Sequence, residues 1–347
     1  MNETKRIFLS FLTPDYSRSG VIFDSNDDRN IFLNISSNPR AIISELLRIK
    51  KTNNSSEVVT VVMSPSHMLV LYLKIFTRFR VILDAGWPLS DSHVQKTNYL
   101  NRLIVKGNNF LIDFISFKLC DLLILESQEQ LCRVSRKYFL PKKKISVRLT
   151  GLNELAYTEV APMRPAELSG DLSNRKIILY RGKNNPESGI SLLVSLQELI
   201  HPDWVLIIVT NKAIGPLDPK KSVLINRHVS EAEIRWLYEN ARLTLGQLSY
   251  KKRLKFTIPH KAFESAFFGV PYISPRHDVL NELFGAVENY LALDDLDNHS
   301  ILDKIEQIIE DDMRLNEIGN NSKISYFARS SQRRLTEIFN LSLSANG

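Results

Sequence analysis

The sequence predicts an α/β protein built from two Rossmann-like domains in succession. Short Val/Ile/Leu runs alternate with longer helical patterns along almost the whole chain, which is the pattern of parallel strands joined by crossover helices. The runs are apolar on both faces, as strands covered on both sides must be. A poorly patterned stretch near the middle separates two such series. At 347 residues the chain exceeds one ordinary core and fits two domains of about 150 residues each.

In the first series RIFLSFL (6–12), VVTVVM (58–63), RVILDA (80–85), LLIL (122–125) and KISVRL (144–149) read as strands. Helical periodicity lies at 39–51, 66–78, 92–119 and 127–138. In the second series the strands are KIILYR (176–181), WVLIIVT (204–210), SVLIN (222–226), LTLGQ (243–247) and VPYISP (270–275). Helices are expected there near 187–200, 230–241, 260–268, 277–284 and 300–319. The expected domains are therefore 1–158 and 175–329, with a linker at 159–174 that carries two prolines and a glycine. A last helical stretch at roughly 321–341 follows, and the segment 330–347 is expected to rejoin the first domain.

Composition narrows the setting. Hydrophobic residues make up 44% and charged residues 24%, ordinary values for a soluble domain. No apolar run approaches the roughly 18–20 residues of a membrane span. The apolar run before Thr13 is short for a signal-peptide core and suits a buried first strand. Cys120 and Cys132 have neither CxxC nor Cys/His spacing, so thiols of a reducing, cytoplasmic setting are expected. The net charge is +7, and residues 1–174 hold 23 Lys/Arg against 17 Asp/Glu, so the excess sits in the first half. No aromatic residues interleave with the basic ones as in RNA-binding sheets, and no nucleic-acid partner is expected. The stretch 92–119 carries Lys96, Arg102, Lys106 and Lys118 together with Phe110, Leu111, Phe114 and Phe117. Two readings stay open for it: peripheral contact of the basic first domain with a membrane face, or an ordinary crossover helix covering a sheet.

Ligands of open parallel sheets bind at the carboxyl ends of strands, and anions favour helix amino termini. In ILYRGKNNPESGISLL (178–193) a strand ends at Tyr180, Gly182 allows a turn, and a helix is expected from Pro186–Glu187. Arg181 and Lys183 flank that turn as cations facing a diphosphate would. In KRLKFTIPHKAFESAFFGVPYISP (252–275) Pro259 opens a helix whose first turn and a half holds His260, Lys261 and Glu264. Lys261 and Glu264 share one face at i, i+3, which suits either a surface pair or a phosphate and ribose site. Gly269 ends the helix and Pro271 starts the next strand. GxGxxG and GxSxG are absent after the strands, which argues against a dehydrogenase and a serine hydrolase.

These segments resemble the retaining glycosyltransferase family 4, of the two-domain architecture called GT-B. The residues that carry the likeness are Pro259, Lys261, Glu264, Gly269 and Pro271, in the order PxKxxE then GxP. GKNNPESGI (182–190), NRHVSEAEIRWLYENARLTLGQ (226–247), DLLILESQEQ (121–130) and KKKISVRLTGLNELAY (142–157) look like further family segments. The resemblance implies two Rossmann-like domains facing each other across a cleft. It also implies transfer of a sugar from a UDP- or GDP-linked donor to a hydroxyl of a glycan or lipid-linked acceptor, with retention and without a metal or other cofactor. Carried over residue by residue, it assigns Glu264 to the ribose and the catalytic charges to Lys183 and Lys261. Arg181, Gly182, Arg227, His228 and Arg253 complete the expected donor set, and Gly20, Trp87 and His93 fall on the acceptor side. The chain departs from the pattern at Ser188 and Phe256, where the family has Lys and Glu, and its first glycine loop is reduced to SRSGV (17–21). Those departures motivate a second reading, a non-catalytic GT-B nucleotide- or glycan-binding partner of another glycosyltransferase.

Overall fold

Alternating apolar runs and amphipathic segments fold into two compact units, Met1–Leu152 with Gln332–Gly347, and Asn153–Ser331. The computed structural model describes residues 4–13, 17–23, 27–54, 57–92, 98–170, 172, 174–185 and 187–344. His93, expected on the acceptor side, lies outside them.

The first unit holds a parallel sheet of β1 (Lys5–Ser10), β2 (Asn30–Asn34), β3 (Val58–Met63), β4 (Arg80–Gly86), β5 (Leu122–Leu125) and β6 (Ile145–Val147). Their order is β2-β1-β3-β4-β5-β6. Helices α1 (Ser17–Ile22), α2 (Pro39–Thr52), α3 (Leu69–Phe76), α4 (Tyr99–Leu119) and α5 (Gln128–Lys137) join the strands. β3 and β5 are buried at every residue, the consequence of helices on both faces. α2 shows how the local code works: the Asn38 side chain accepts the Arg40 N–H, Pro39 opens the helix, and Lys50 and Lys51 close it. At the carboxyl edge of this sheet Asp84 is fully buried between Arg18 (2.6 Å) and Arg148 (2.5 Å), so α1 is tied by charge to β4 and to the residue that follows β6.

The second unit repeats the scheme with β7 (Lys176–Arg181), β8 (Trp204–Val209), β9 (Ser222–Ile225), β10 (Ala241–Leu245), β11 (Tyr272–Pro275) and β12 (Leu291–Leu293). The order is β12-β11-β10-β7-β8-β9, again parallel throughout. Its helices are α6 (Glu154–Thr158), α7 (Ile190–Leu199), α8 (Glu231–Asn240), α9 (His260–Phe268), α10 (Leu280–Phe284), α11 (Asn298–Glu306) and α12 (Asp312–Arg329). α13 (Gln332–Ser344) packs on the first unit, where Phe339 meets Phe8 at 6.1 Å between ring centroids.

Several expectations need correction. β2 and β12 were not expected; β2 is a half-exposed edge strand and β12 has only three residues, so neither has a strong apolar signature. The single helix expected at 300–319 is two, because Asp311 caps a fresh start by accepting the Arg314 N–H at 3.0 Å. α7 begins at Ile190 rather than at Pro186–Glu187, since Gly189 adopts φ 69° just before it; Pro186 is outside the described residues. Gly20 lies within α1 and not in a loop. The segment read as a linker is bound to the second unit: the Met163 N–H reaches the Ala232 carbonyl at 3.0 Å and Glu167 pairs with Arg227.

α12 crosses α9 where Gly319 meets the backbone of Gly269, and a Cβ at 319 would collide with the Gly269 carbonyl oxygen. Gly319→Ala is therefore expected to cost about 1–3 kcal/mol through overpacking. A lower midpoint in urea unfolding at unchanged slope checks this, and an unshifted midpoint contradicts it.

Candidate functional site

β7 and β10 are neighbours, yet the chain leaves β7 through α7 toward β8 and leaves β10 through α9 toward β11. The two loops diverge, and such a switch point opens a crevice at the carboxyl edge. A pocket of about 390 Å³ lies there, within the range of small-molecule sites. Arg181, Gly182, Lys183 and Asn185 line it from the β7 loop, and Thr210 and Asn211 from the end of β8. His228 and Val229 border it on one side, Gln247 on another, and Pro259, His260 and Lys261 bring in the amino end of α9.

α9 is buried on every side from Lys261 to Phe267. Lys261 and Glu264 are therefore not a surface pair, and each is matched by other groups. Glu264 is 0% exposed. Its Oε1 accepts from Arg181 Nη1 at 2.6 Å and from the Tyr157 hydroxyl at 3.1 Å, with His260 Nδ1 3.3 Å away. Its Oε2 accepts from the same Arg181 nitrogen at 2.8 Å and from the Tyr238 hydroxyl at 2.8 Å. Burial alone would push this carboxyl up. Arg181, His260 and the Tyr238 hydroxyl outweigh burial and hold it down at about 2. Burial likewise works against the Arg181 guanidinium, and Glu264 more than restores it.

Lys261 points the other way. Its Nζ sits 3.5 Å from the centroid of the Tyr180 ring and donates to the Gly246 carbonyl at 3.3 Å. Burial pulls this ammonium well below its ordinary value and Arg181 adds to the effect, while Glu264 opposes it. Gly182 makes the arrangement possible: a Cβ there would stand 2.9 Å from Lys261 Nζ and 3.3 Å from the Tyr180 hydroxyl. Lys261 near the amino end of α9 and Arg181 at the end of β7 both line the pocket, a setting that an anion would complement. Thr210 Oγ1 and Gln247 Oε1 have no hydrogen-bond partner among the described residues.

The other residues named from the sequence divide clearly. Arg181, Gly182, Lys183, Arg227, His228 and Lys261 line the pocket. Glu264 and Arg253 do not. Glu264, to which the resemblance assigns the ribose, is buried beside the pocket, and protein donors reach both of its oxygens. Arg253 pairs with Glu187, its Nη2 2.5 Å from Oε2. Arg227 is committed as well, its guanidinium shared between Glu167 (2.7 Å) and Glu233 (2.6 Å), and Glu233 also completes the capping box of α8 with Ser230. Ser188 is buried and donates to the Asn185 carbonyl at 2.6 Å, which shapes the loop without adding charge. Gly20 and Trp87 belong to the first unit. Sequence reasoning missed Tyr157, Tyr180 and Tyr238. Only the position of Tyr180 at a strand end offered a signal, since the other two reach Glu264 across 107 and 26 residues.

Comparison with known proteins fits this layout. Residues 195–340 match the family model described as "Glycosyl transferase-like". A sucrose-phosphate synthase from Thermosynechococcus elongatus superposes with a TM-score of 0.70 at 13% identity, covering 98% of this chain and 100% of that one. The chain has the GT-B fold, and its residues 195–340 are similar to the glycosyl transferase-like family model. Anabaena HepE in complex with UDP-glucose matches this GT-B protein with a TM-score of 0.70 at 12% identity over 98% and 99% of the two chains. The α,α-trehalose 6-phosphate synthase of Burkholderia multivorans does so with 0.70 at 9% identity over 99% and 97%. A search of curated protein sequences finds no match.

The Glu264 cage has a consequence for acid stability. Its folded-state carboxyl lies near 2 against an ordinary 4.5, so its contribution is complete above pH 4.5 and is lost as pH falls toward 2. Urea unfolding of the wild type between those limits is expected to show a steeper loss than Glu264→Gln, and parallel curves contradict it. At neutral pH Arg181→Ala removes the guanidinium from the buried carboxylate and is expected to cost about 3–5 kcal/mol.

Proposed function

We propose that this protein transfers a sugar from a nucleoside diphosphate sugar to a hydroxyl of a glycan or lipid-linked acceptor. The observation that carries the reading is the second-unit pocket, where Lys261, Arg181 and Lys183 meet the amino end of α9. In the reaction the bond from the anomeric carbon to the diphosphate breaks and a bond to the acceptor oxygen forms. The nucleoside diphosphate departs with the electron pair, and its leaving oxygen takes up the proton that the acceptor hydroxyl loses. The charge that grows on the diphosphate is met by Lys261 at the helix terminus, by the pocket-facing side of Arg181 and by Lys183 at the rim. UDP is the favoured nucleotide, supported by the GT-B fold shared with HepE, which binds UDP-glucose. Retention of configuration rests on the family 4 resemblance.

A donor-binding protein without turnover is the second reading. It is favoured by the loop at Ser188, which turns its hydroxyl onto Asn185, and by the commitment of Arg253 and Arg227 to carboxylates.

Calorimetric titration with UDP and GDP tests the binding step. UDP is expected to bind, with affinity at least about tenfold lower in Lys261→Met, since a charge-assisted contact of about 1.5–3 kcal/mol is lost. If neither nucleotide binds the wild type, the reading is wrong. Slow release of free sugar from UDP-glucose, abolished in Lys183→Ala with Lys261→Met, separates the enzyme from the donor-binding partner.

A further inference from the structure

α4 carries an apolar stripe, and a crossover helix normally turns such a stripe toward its sheet. Here the helix is turned the other way. Its inward side is polar: Asp113 is fully buried and accepts the backbone N–H groups of Leu89 and Ser90 at 2.9 Å each. Ser116 Oγ donates to the His67 carbonyl at 2.8 Å, and Asn109 Nδ2 donates to the Leu89 carbonyl at 3.2 Å. Phe117 is the large apolar side chain that α4 buries. The stripe left facing outward runs from Tyr99 and Leu100 through Leu103, Ile104 and Leu111 to Phe114, with Tyr99 72% and Leu111 56% exposed. These positions share one face at helical spacing. From Tyr99 to Phe114 the helix presents them along about 22 Å. Soluble monomers rarely expose an apolar patch of that extent without a use for it.

The surroundings say what covers it. Residues 98–119 and 136–144 contain eight Lys and Arg and one acidic residue, the buried Asp113. Lys137 Nζ lies 5.4 Å from the Phe110 ring centroid and Lys118 Nζ 5.8 Å from that of Phe114, so cations edge the stripe. Lys118 Nζ also donates to the Phe139 carbonyl at 2.7 Å, which brings Phe139, 81% exposed, and the Lys142–Lys144 turn against the end of α4. The face is a convex helix edged by lysines. Protein partners deplete lysine at their contacts, whereas an anionic bilayer takes apolar side chains below its headgroups and lysines among them.

We infer that the outward face of α4, with Phe139 and the Lys142–Lys144 turn, docks this protein on an anionic lipid bilayer. No helix among the described residues is long and apolar enough to cross a membrane, so the attachment is by one face. The inference stands apart from the donor pocket, which belongs to the other unit.

Flotation of the full-length protein with lipid vesicles tests it. Partition onto vesicles of phosphatidylcholine with 30% phosphatidylglycerol is expected to exceed that onto phosphatidylcholine alone by about tenfold or more, and to collapse in 1 M salt, where screening reaches about 3 Å. Leu103→Glu with Leu111→Glu should lower binding by at least about tenfold, and Lys142→Ala with Lys143→Ala by about fivefold or more. Both double variants should keep the wild-type thermal midpoint and UDP affinity; should the glutamates unfold the chain, Leu103→Ser with Leu111→Ser serves instead. Absence of flotation with anionic vesicles overturns the inference, as does wild-type binding in the α4 variants. A dimer in light scattering that the α4 changes dissociate, without vesicle recruitment, overturns it in favour of a second copy of the chain. Loss of UDP binding in the wild type would sink the donor reading and leave this one untouched.

Discussion

A carboxylate in the middle of a protein core must be neutralised or paired, and in the second unit that requirement organises everything near the pocket. Glu264 is fully buried in α9, and its partners come from β7, α6 and α8 as well as from its own helix. Four elements far apart in sequence are thus held to one side chain at hydrogen-bond distances. The arrangement fixes where Arg181 can point, and Arg181 in turn sets the electrostatics felt by Lys261. The chemistry of the pocket rests on a charge that does not itself line it.

The first unit uses buried carboxylates in the same way. Asp84 gathers Arg18 and Arg148 at the carboxyl edge of its sheet, and Asp113 gathers the turn after β4 and the Tyr138 hydroxyl. Each buys local order with charge rather than with apolar area. The second case inverts the normal sense of an amphipathic helix, since the polar side of α4 is satisfied inside and its apolar stripe is left outside.

The strand runs of both units were legible because parallel strands covered on both faces demand continuous Val, Ile and Leu, and 58–63, 122–125 and 176–181 stand as strands over those same residues. Short or edge strands such as β2 and β12 escape that logic, because half-exposed residues need no such run. At the candidate site the glycine and the lysine were readable for a similar reason. Gly182 follows a strand where a Cβ would crowd Lys261 Nζ, and Lys261 lies in the first turn of the helix that follows Pro259. The pairings of Arg227 and Arg253 were not readable, since a guanidinium looks alike in sequence whether it meets a phosphate or a neighbouring carboxylate.

The sequence by itself determined the α/β class, the two successive β/α series, and the loop and helix start at which an anion site should be sought. Those follow from periodicity and from the conformational demands of glycine and proline, which act over a few residues. Only the tertiary structure decided that Arg181, Tyr157 and Tyr238 converge on Glu264, that Lys261 lies against Tyr180, and that α4 faces outward. Each of those depends on which distant donor or acceptor reaches a buried charge first, and hydrogen bonding across 107 residues leaves no trace in local pattern.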